Sequence, residues 1–334
     1  MDRPITQPPP PGRAVHFSDE FGTRVLLTVD TEEEFDWAGP FTRAEHGLAH
    51  VPAIARFQAF CEGLGIAPVY LVDWPVANSA EAAEIIGGAV RAGRAEVGIQ
   101  LHPWVNPPFD EEVGERNSYA GNLPPALERA KFLALRDRIE QAFGTAPMIY
   151  RAGRYGLGPA TAALLREAGV PVDSSVRTNF DYRAGFGPDY RGHPLAPYWV
   201  DDEHRLLELP LTTVYWGMLR RQGRWVRPLV ERLPALGGLL ARVGLFERIA
   251  LTPEGVSAEE ALRGIDMALD DRLPLLVLSF HSPSLAPGLT PYVRDARDLR
   301  QLYEWLERVY AYLALRGVAP TTVAEVLAAA RAGR

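Results

Sequence analysis

Apolar positions along the chain fall into two alternating periods. Short runs in which nearly every residue is aliphatic or β-branched predict strands buried on both faces, as in a parallel sheet under helices. They cover residues 25–29, 66–72, 96–101, 147–150, 170–172, 206–213 and 275–280. Between them, apolar residues at helical spacing predict helices over 51–64, 80–92, 125–143, 159–168, 228–249, 295–316 and 321–330. Gly65, Gly93, Gly144 and Gly169 stand just past four of these helices, where a left-handed residue closes the last turn. The 228–249 pattern is interrupted at Gly237 and Gly238. Ser257 followed by Glu260 is a capping-box pattern and starts one more helix. Residues 105–125, rich in Pro, Asn and Gly, and the aromatic stretch 178–197 read as irregular loops.

Strand and helix alternate six or seven times, with no linker-like stretch and no fixed-period repeat. That order predicts one (β/α) barrel over residues 21–334, with irregular closure, behind a flexible Pro-rich leader at 1–20. A doubly wound sheet shares the alternation. No G-x-G-x-x-G follows the first strand, which argues against dinucleotide binding.

Bulk properties narrow the function. A net charge of −7 argues against general affinity for nucleic acid or an anionic membrane. Cys61 is the single cysteine, so neither an internal disulfide nor a cysteine-based metal site is available. The first residues lack the apolar core of a signal peptide, and no run of 18 apolar residues occurs, so a cytoplasmic location and no membrane partner are expected.

The chemistry sits where the strands end. Residues 24–37 read R-V-L-L-T-V-D-T-E-E-E-F-D-W, an apolar run that passes straight into carboxylates. The other strand ends carry Asp73, His102, Arg151, Asp173 and His281. In a barrel these converge on one mouth. Carboxylates, two histidines and an arginine at one mouth suit general acid–base chemistry with a metal.

The same residues resemble the polysaccharide deacetylases of the NodB-homology, carbohydrate-esterase-4-like superfamily, and most closely the WalW-type branch. The resemblance spans roughly residues 24–291. It rests on T-V-D-T-E, E-V-G-I-Q-L-H-P-W, Y-R-A-G-R-Y-G, V-D-S-S and S-F-H-S-P-S-L, five motifs in order at five strand ends. It implies an irregular, seven-stranded barrel and a hydrolase acting on carbon–nitrogen bonds, removing N-acetyl groups from a sugar in polysaccharide or cell-wall metabolism. It implies Asp30 as general base, Arg151 as its orienting partner and His281 as general acid. A divalent metal ion, Zn²⁺ or similar, is expected on Glu32 and His102, with His50 as third ligand. Trp104, Tyr155, Trp216 and Tyr292 are candidate sugar-stacking walls, Gln100 is a further substrate-binding candidate, and Asp173 is expected to buttress His281 or Arg151. Thr31 separates the two acids of the first motif, and Gln100 stands near where the second motif usually has another histidine, so the expected metal site is short of ligands. Two further readings stay open: an amidohydrolase opening a small cyclic amide or ureide, as in allantoinases, and a non-catalytic carbohydrate-binding relative.

Overall fold

The structure is a computed structural model, and it describes residues 3–44, 46–218 and 246–333. Seven strands run parallel: β1 (Arg24–Thr31), β2 (Val69–Val72), β3 (Glu96–Leu101), β4 (Ile149–Ala152), β5 (Val172–Asp173), β7 (Leu207–Glu208) and β10 (Leu275–His281). Their order in the sheet is β10-β1-β2-β3-β4-β5-β7. β6 (Tyr198–Trp199) pairs antiparallel with β7, and β11 (Ala319–Pro320) pairs with the start of β1. β8 (Thr213–Trp216) and β9 (Glu247–Ala250) form a separate hairpin.

The gap between β7 and β10 is bridged by the chain that leaves β7. Leu209 N–H donates to the Asp173 carbonyl at 2.8 Å and Leu211 N–H to the Val176 carbonyl at 3.0 Å. On the other side Thr212 N–H donates to the Val277 carbonyl at 3.2 Å, and Thr212 Oγ1 accepts from Val277 N–H at 2.8 Å. This substitution of a bridging segment for a regular strand pair is the irregular closure expected from the sequence.

Helices cover the outside: α1 (Val51–Gly63), α2 (Trp74–Ala77), α3 (Ala80–Arg91), α4 (Pro125–Phe143), α5 (Thr161–Glu167), α6 (Ala258–Asp270), α7 (Ala296–Leu315) and α8 (Val323–Ala332). α6 begins with the expected capping box, in which Ser257 and Glu260 satisfy each other's backbone N–H. One expectation needs correction. Of the helix expected over 228–249, residues 228–245 lie outside the described residues, and Glu247–Ala250 form strand β9. Within the Pro-rich stretch at 1–20, Ile5 and Val15 are buried, and Val15 N–H and the Arg13 carbonyl bond to the chain around β6. Scattered apolar residues among its prolines give it something to bury.

Period-2 alternation sorts the strands into two cores. Val25, Leu27 and Val29 pack outwards with the helix residues Val51, Ile54 and Phe57. Leu26, Leu71, Ile149, Val172, Leu207 and Leu275 pack inside with Val323, Val326 and Leu327 of α8. The inward positions that follow along the same strands are polar: Thr28 and Asp30, Gln100, Arg151, and Ser279 and His281. The barrel interior is therefore apolar at its base and chemical at its mouth.

Gly98 marks how closely the interior is packed. A Cβ there would stand 2.5 Å from Ile149 Cγ2, 2.6 Å from Leu71 Cδ2 and 2.8 Å from the Ile149 carbonyl oxygen. Gly98→Ala is expected to overpack this layer by about 1–3 kcal/mol and to lower Tm by several degrees. Gly63→Ala, at a position with nothing within 4 Å, serves as control and leaves Tm unchanged or raised. Equal melting of Gly98→Ala and wild type in a thermal scan contradicts this packing.

Candidate active site

The mouth of the barrel opens into a cleft of about 360 Å³. Asp30, Glu32, Gln100, His102 and His281 line it together with Trp37, Trp104, Tyr155 and Tyr292. Asp30 and His281 are direct partners in the register of β1 and β10.

Arg151 lies at the centre and is fully buried. Its guanidinium donates to Asp30 Oδ1, to Ser279 Oγ at 2.9 Å, to Thr28 Oγ1 at 2.9 Å, and to Ser174 through the carbonyl at 2.8 Å and Oγ at 3.2 Å. These five bonds tie β1, β4, β10 and the turn after β5 together. They also fix Asp30 with Oδ2 turned towards His281 Nε2, 3.8 Å away.

His281 is held from behind by a residue the sequence reading missed. Its Nδ1 lies 2.6 Å from Glu254 Oε2, while its backbone N–H and the Ser284 hydroxyl donate to Glu254 Oε1. Burial alone lowers the His281 pKa, but Glu254, Glu32 and Asp30 outweigh it and raise the ring to about 10. Glu254 sits in a T-P-E-G turn, and nothing in that turn's local pattern links it to a histidine 27 positions on.

The acids after β1 divide by environment. Burial pushes Glu32 up to about 8 against the opposing pull of His281 and His102. Gln100 Nε2 donates to Glu32 Oε2 at 3.0 Å, and His102 Nε2 lies 3.5 Å from the same oxygen. Glu33 points away from the cleft. It accepts from Trp104 Nε1 at 2.7 Å, meets His102 Nδ1 at 2.8 Å, and is raised to about 7 by burial. The Trp104 ring stacks on His102 at 4.3 Å. Glu33 and Trp104 thereby set the ring that presents Nε2 to the cleft. Asp73 accepts from Glu33 N–H at 2.7 Å and from Val76 N–H at 2.9 Å, capping α2.

His50 is not turned to this cleft. Its Nδ1 lies 2.8 Å from Glu34 Oε1 and its Nε2 2.8 Å from Ser282 Oγ, which in turn accepts from Glu32 N–H at 3.2 Å. Burial lowers the His50 pKa, as suits a neutral ring. With both nitrogens engaged, His50 supports the turn that carries Glu32 instead of serving as the expected third ligand. Asp173 does not buttress His281 or hydrogen-bond Arg151. It follows inward-facing Val172, so parity turns it outward, where it bonds Ser175 and neighbours Glu208; Ser174 takes the inward place. Trp216 lies off the cleft, under the Arg263 guanidinium, whereas Trp104, Tyr155 and Tyr292 line it.

Among the described residues, Glu33, Asp73 and His102 bring one ligand atom each within 4.8 Å of one another, a set of donors able to hold a metal. A second set of donors faces the cleft. Glu32 Oε1 and Gln100 Oε1 are buried without a hydrogen-bond partner, beside His102 Nε2, and all three residues face the cleft. A carboxylate, an amide oxygen and an imidazole suit a borderline-hard cation.

No protein-family model and no curated relative matches the chain. Solved structures do. A Mycobacterium smegmatis protein assigned as a polysaccharide deacetylase aligns with a TM-score of 0.57 at 19% identity, over 97% of this chain and 95% of that one. A Pseudomonas aeruginosa PAO1 protein with the same assignment aligns with a TM-score of 0.51 at 15% identity, over 94% and 92%. The chain shares their fold, a curled (β/α) barrel, as the sequence resemblance implied. Among the described residues no helix is long and apolar enough to cross a membrane.

The buried carboxyls make stability pH-dependent in a definite direction. Glu32 and Glu33 hold their protons more tightly folded than unfolded, so their contribution is present below the ordinary value of 4.5 and is lost as pH rises through about 7 and 8. The His281 contribution is present below 6.5 and is lost as pH rises through about 10. Metal-free protein in chelator is expected to melt several degrees lower at pH ~9 than at pH ~5.5, read by differential scanning fluorimetry. A flat or rising Tm contradicts these environments.

Proposed function

We propose that the protein is a hydrolase of the polysaccharide-deacetylase type that removes an N-acetyl group from a sugar, with the assistance of a divalent cation. The observation that carries this reading is the pairing of Asp30 Oδ2 and His281 Nε2 at 3.8 Å across the cleft, each anchored from behind by its own partner, Arg151 and Glu254. A protein that only binds sugar has no need of a matched base and acid in this arrangement. The folds of the two assigned deacetylases support the same class.

Glu32, His102 and Gln100 would hold the cation. When bound it supplies Lewis-acid polarisation of the acetyl carbonyl and acidifies a water. The chain's own groups do the rest. Asp30, fixed by Arg151, accepts the proton of the attacking water through Oδ2. His281 carries a proton at neutral pH and donates it from Nε2 to the departing nitrogen, which leaves poorly as an anion. Trp104 and Tyr155 border the reacting centre and supply faces for the sugar ring. Cleavage delivers acetate and a free amine.

Acetate release from N-acetylated sugars, with and without chelator, tests the reading. Asp30→Asn keeps shape but cannot take a proton, and a loss of at least about 10²-fold in kcat with little change in Tm is expected. His281→Ala is expected to nearly abolish amide cleavage while keeping more activity on an aryl acetate, whose phenolate leaves unaided. Full activity of Asp30→Asn contradicts the base. Equal losses of His281→Ala on both substrates contradict the acid. Undiminished acetate release in chelator contradicts the assistance of a cation, and no release from any N-acetylated sugar favours the cyclic-amide alternative.

A further inference from the structure

One part of the cleft wall carries positive charge that the chemistry above does not use. It is built by the loops after β4 and β5, which place Arg154 and Arg177 on the cleft. Arg177 is half-buried. Its guanidinium carbon lies 3.9 Å from the Phe180 ring centroid and 5.2 Å from that of Tyr155, and Nη1 donates to the Tyr182 hydroxyl at 3.2 Å. Among the described residues none of these contacts is with a carboxylate.

Other cations around the barrel are treated differently. Arg151 has Asp30, His281 has Glu254, buried Lys131 has Glu111 at 3.0 Å, and Arg191 has Asp189. A half-buried cation loses hydration that ring faces restore only in part. The rings of Phe180 and Tyr155 and the Tyr182 hydroxyl hold the guanidinium in place, and among the described residues Nη1 alone makes a hydrogen bond. A fixed planar fork is suited to bidentate contact with a carboxylate or phosphate.

Arg154 adds to this wall at a conformational cost. It and Tyr155 are successive non-glycine residues in the left-handed region, with φ of 55° and 61°. Such backbone persists where the surroundings impose it, and it gathers at ligand sites. The Arg154 guanidinium lies 4.3 Å from the Tyr119 ring centroid, and its nearest carboxylate among the described residues is half-exposed Glu115, at 3.7 Å. An ion pair of that length and exposure holds the charge weakly.

We propose that this wall binds an anionic group of the substrate, a carboxylate or a phosphate on the same sugar that bears the scissile amide, with Arg177 as its principal partner and Arg154 as the second. The chain's net charge of −7 repels an anion at long range, so recognition of one has to come from a local site of this kind. The identity of the sugar amide rests on the deacetylation reading. The anion site rests on the two arginines.

Three probes separate the cases: neutral N-acetylglucosamine, its 6-phosphate, and N-acetylmuramic acid, which carries a carboxylate. At least one charged sugar is expected to show kcat/KM about tenfold or more above the neutral one. In Arg177→Met that charged-to-neutral ratio falls at least about tenfold towards one, chiefly through KM, and Arg177→Lys restores part of it. Preference for the phosphate alone or the carboxylate alone names the anion. Calorimetric binding of the same probes to Asp30→Asn repeats the comparison without turnover, and Arg177→Met in that background removes the difference between charged and neutral sugars. Charged sugars that bind through Arg177 but are never cleaved overturn the deacetylation reading and leave the anion site standing. Cleavage with no charge preference, or a ratio unchanged in Arg177→Met, overturns the anion site and leaves deacetylation standing. Neither cleavage nor charge-dependent binding overturns both.

Discussion

A buried arginine is the constraint around which this barrel is arranged. Taking a guanidinium out of water is costly unless an anion and further acceptors replace the lost hydration. Arg151, on β4, finds them in Asp30, Thr28, Ser174 and Ser279, which belong to two other strands and a turn that are distant in sequence. Meeting that demand brings the ends of β1, β4 and β10 to one point. The same bonds leave one carboxylate oxygen of Asp30 facing His281, so the interaction that closes the polar layer also aims the reacting pair.

Around this centre, the second layer of partners is as specific as the first. Glu254 holds His281, Glu33 and Trp104 hold His102, and the bonds from Glu34 through His50 and Ser282 end on the backbone of Glu32. His281, His102 and Glu32 are thus each held in orientation by partners of their own. Glu32 Oε1 and Gln100 Oε1 are buried without a partner, and both residues line the cleft.

Much of this was legible in the sequence, and the rest was not, for identifiable reasons. Strand-tip residues could be read because a short apolar run ending in Asp, His or Arg leaves little choice of place; of those singled out, Asp30, His102 and His281 line one cleft, and buried Arg151 bonds Asp30. Parity was the harder matter. Glu32 and Glu33 are adjacent and chemically alike, yet one faces the cleft and the other turns behind His102. Asp173 looked like a strand-tip acid, but its position one residue after inward Val172 sends it outward. His50 was placed among the ligands because it is a histidine near the acids; only its contacts with Glu34 and Ser282 reveal a supporting role. Glu254 came from a turn with no periodic signal, and β9 lay at the end of a stretch whose apolar spacing was read as a helix.

The role of the Arg151–Asp30 pair is tested most directly by a double-mutant cycle in denaturant unfolding, with kcat measured on the same four proteins. Arg151→Met alone leaves Asp30 buried without its cation and is predicted to cost about 3–5 kcal/mol. Adding Asp30→Asn to Arg151→Met is predicted to recover a large part of that loss, while activity stays at the level of the single variants. An Arg151→Met protein with wild-type stability and activity, or a double variant no more stable than Arg151→Met, would contradict the account.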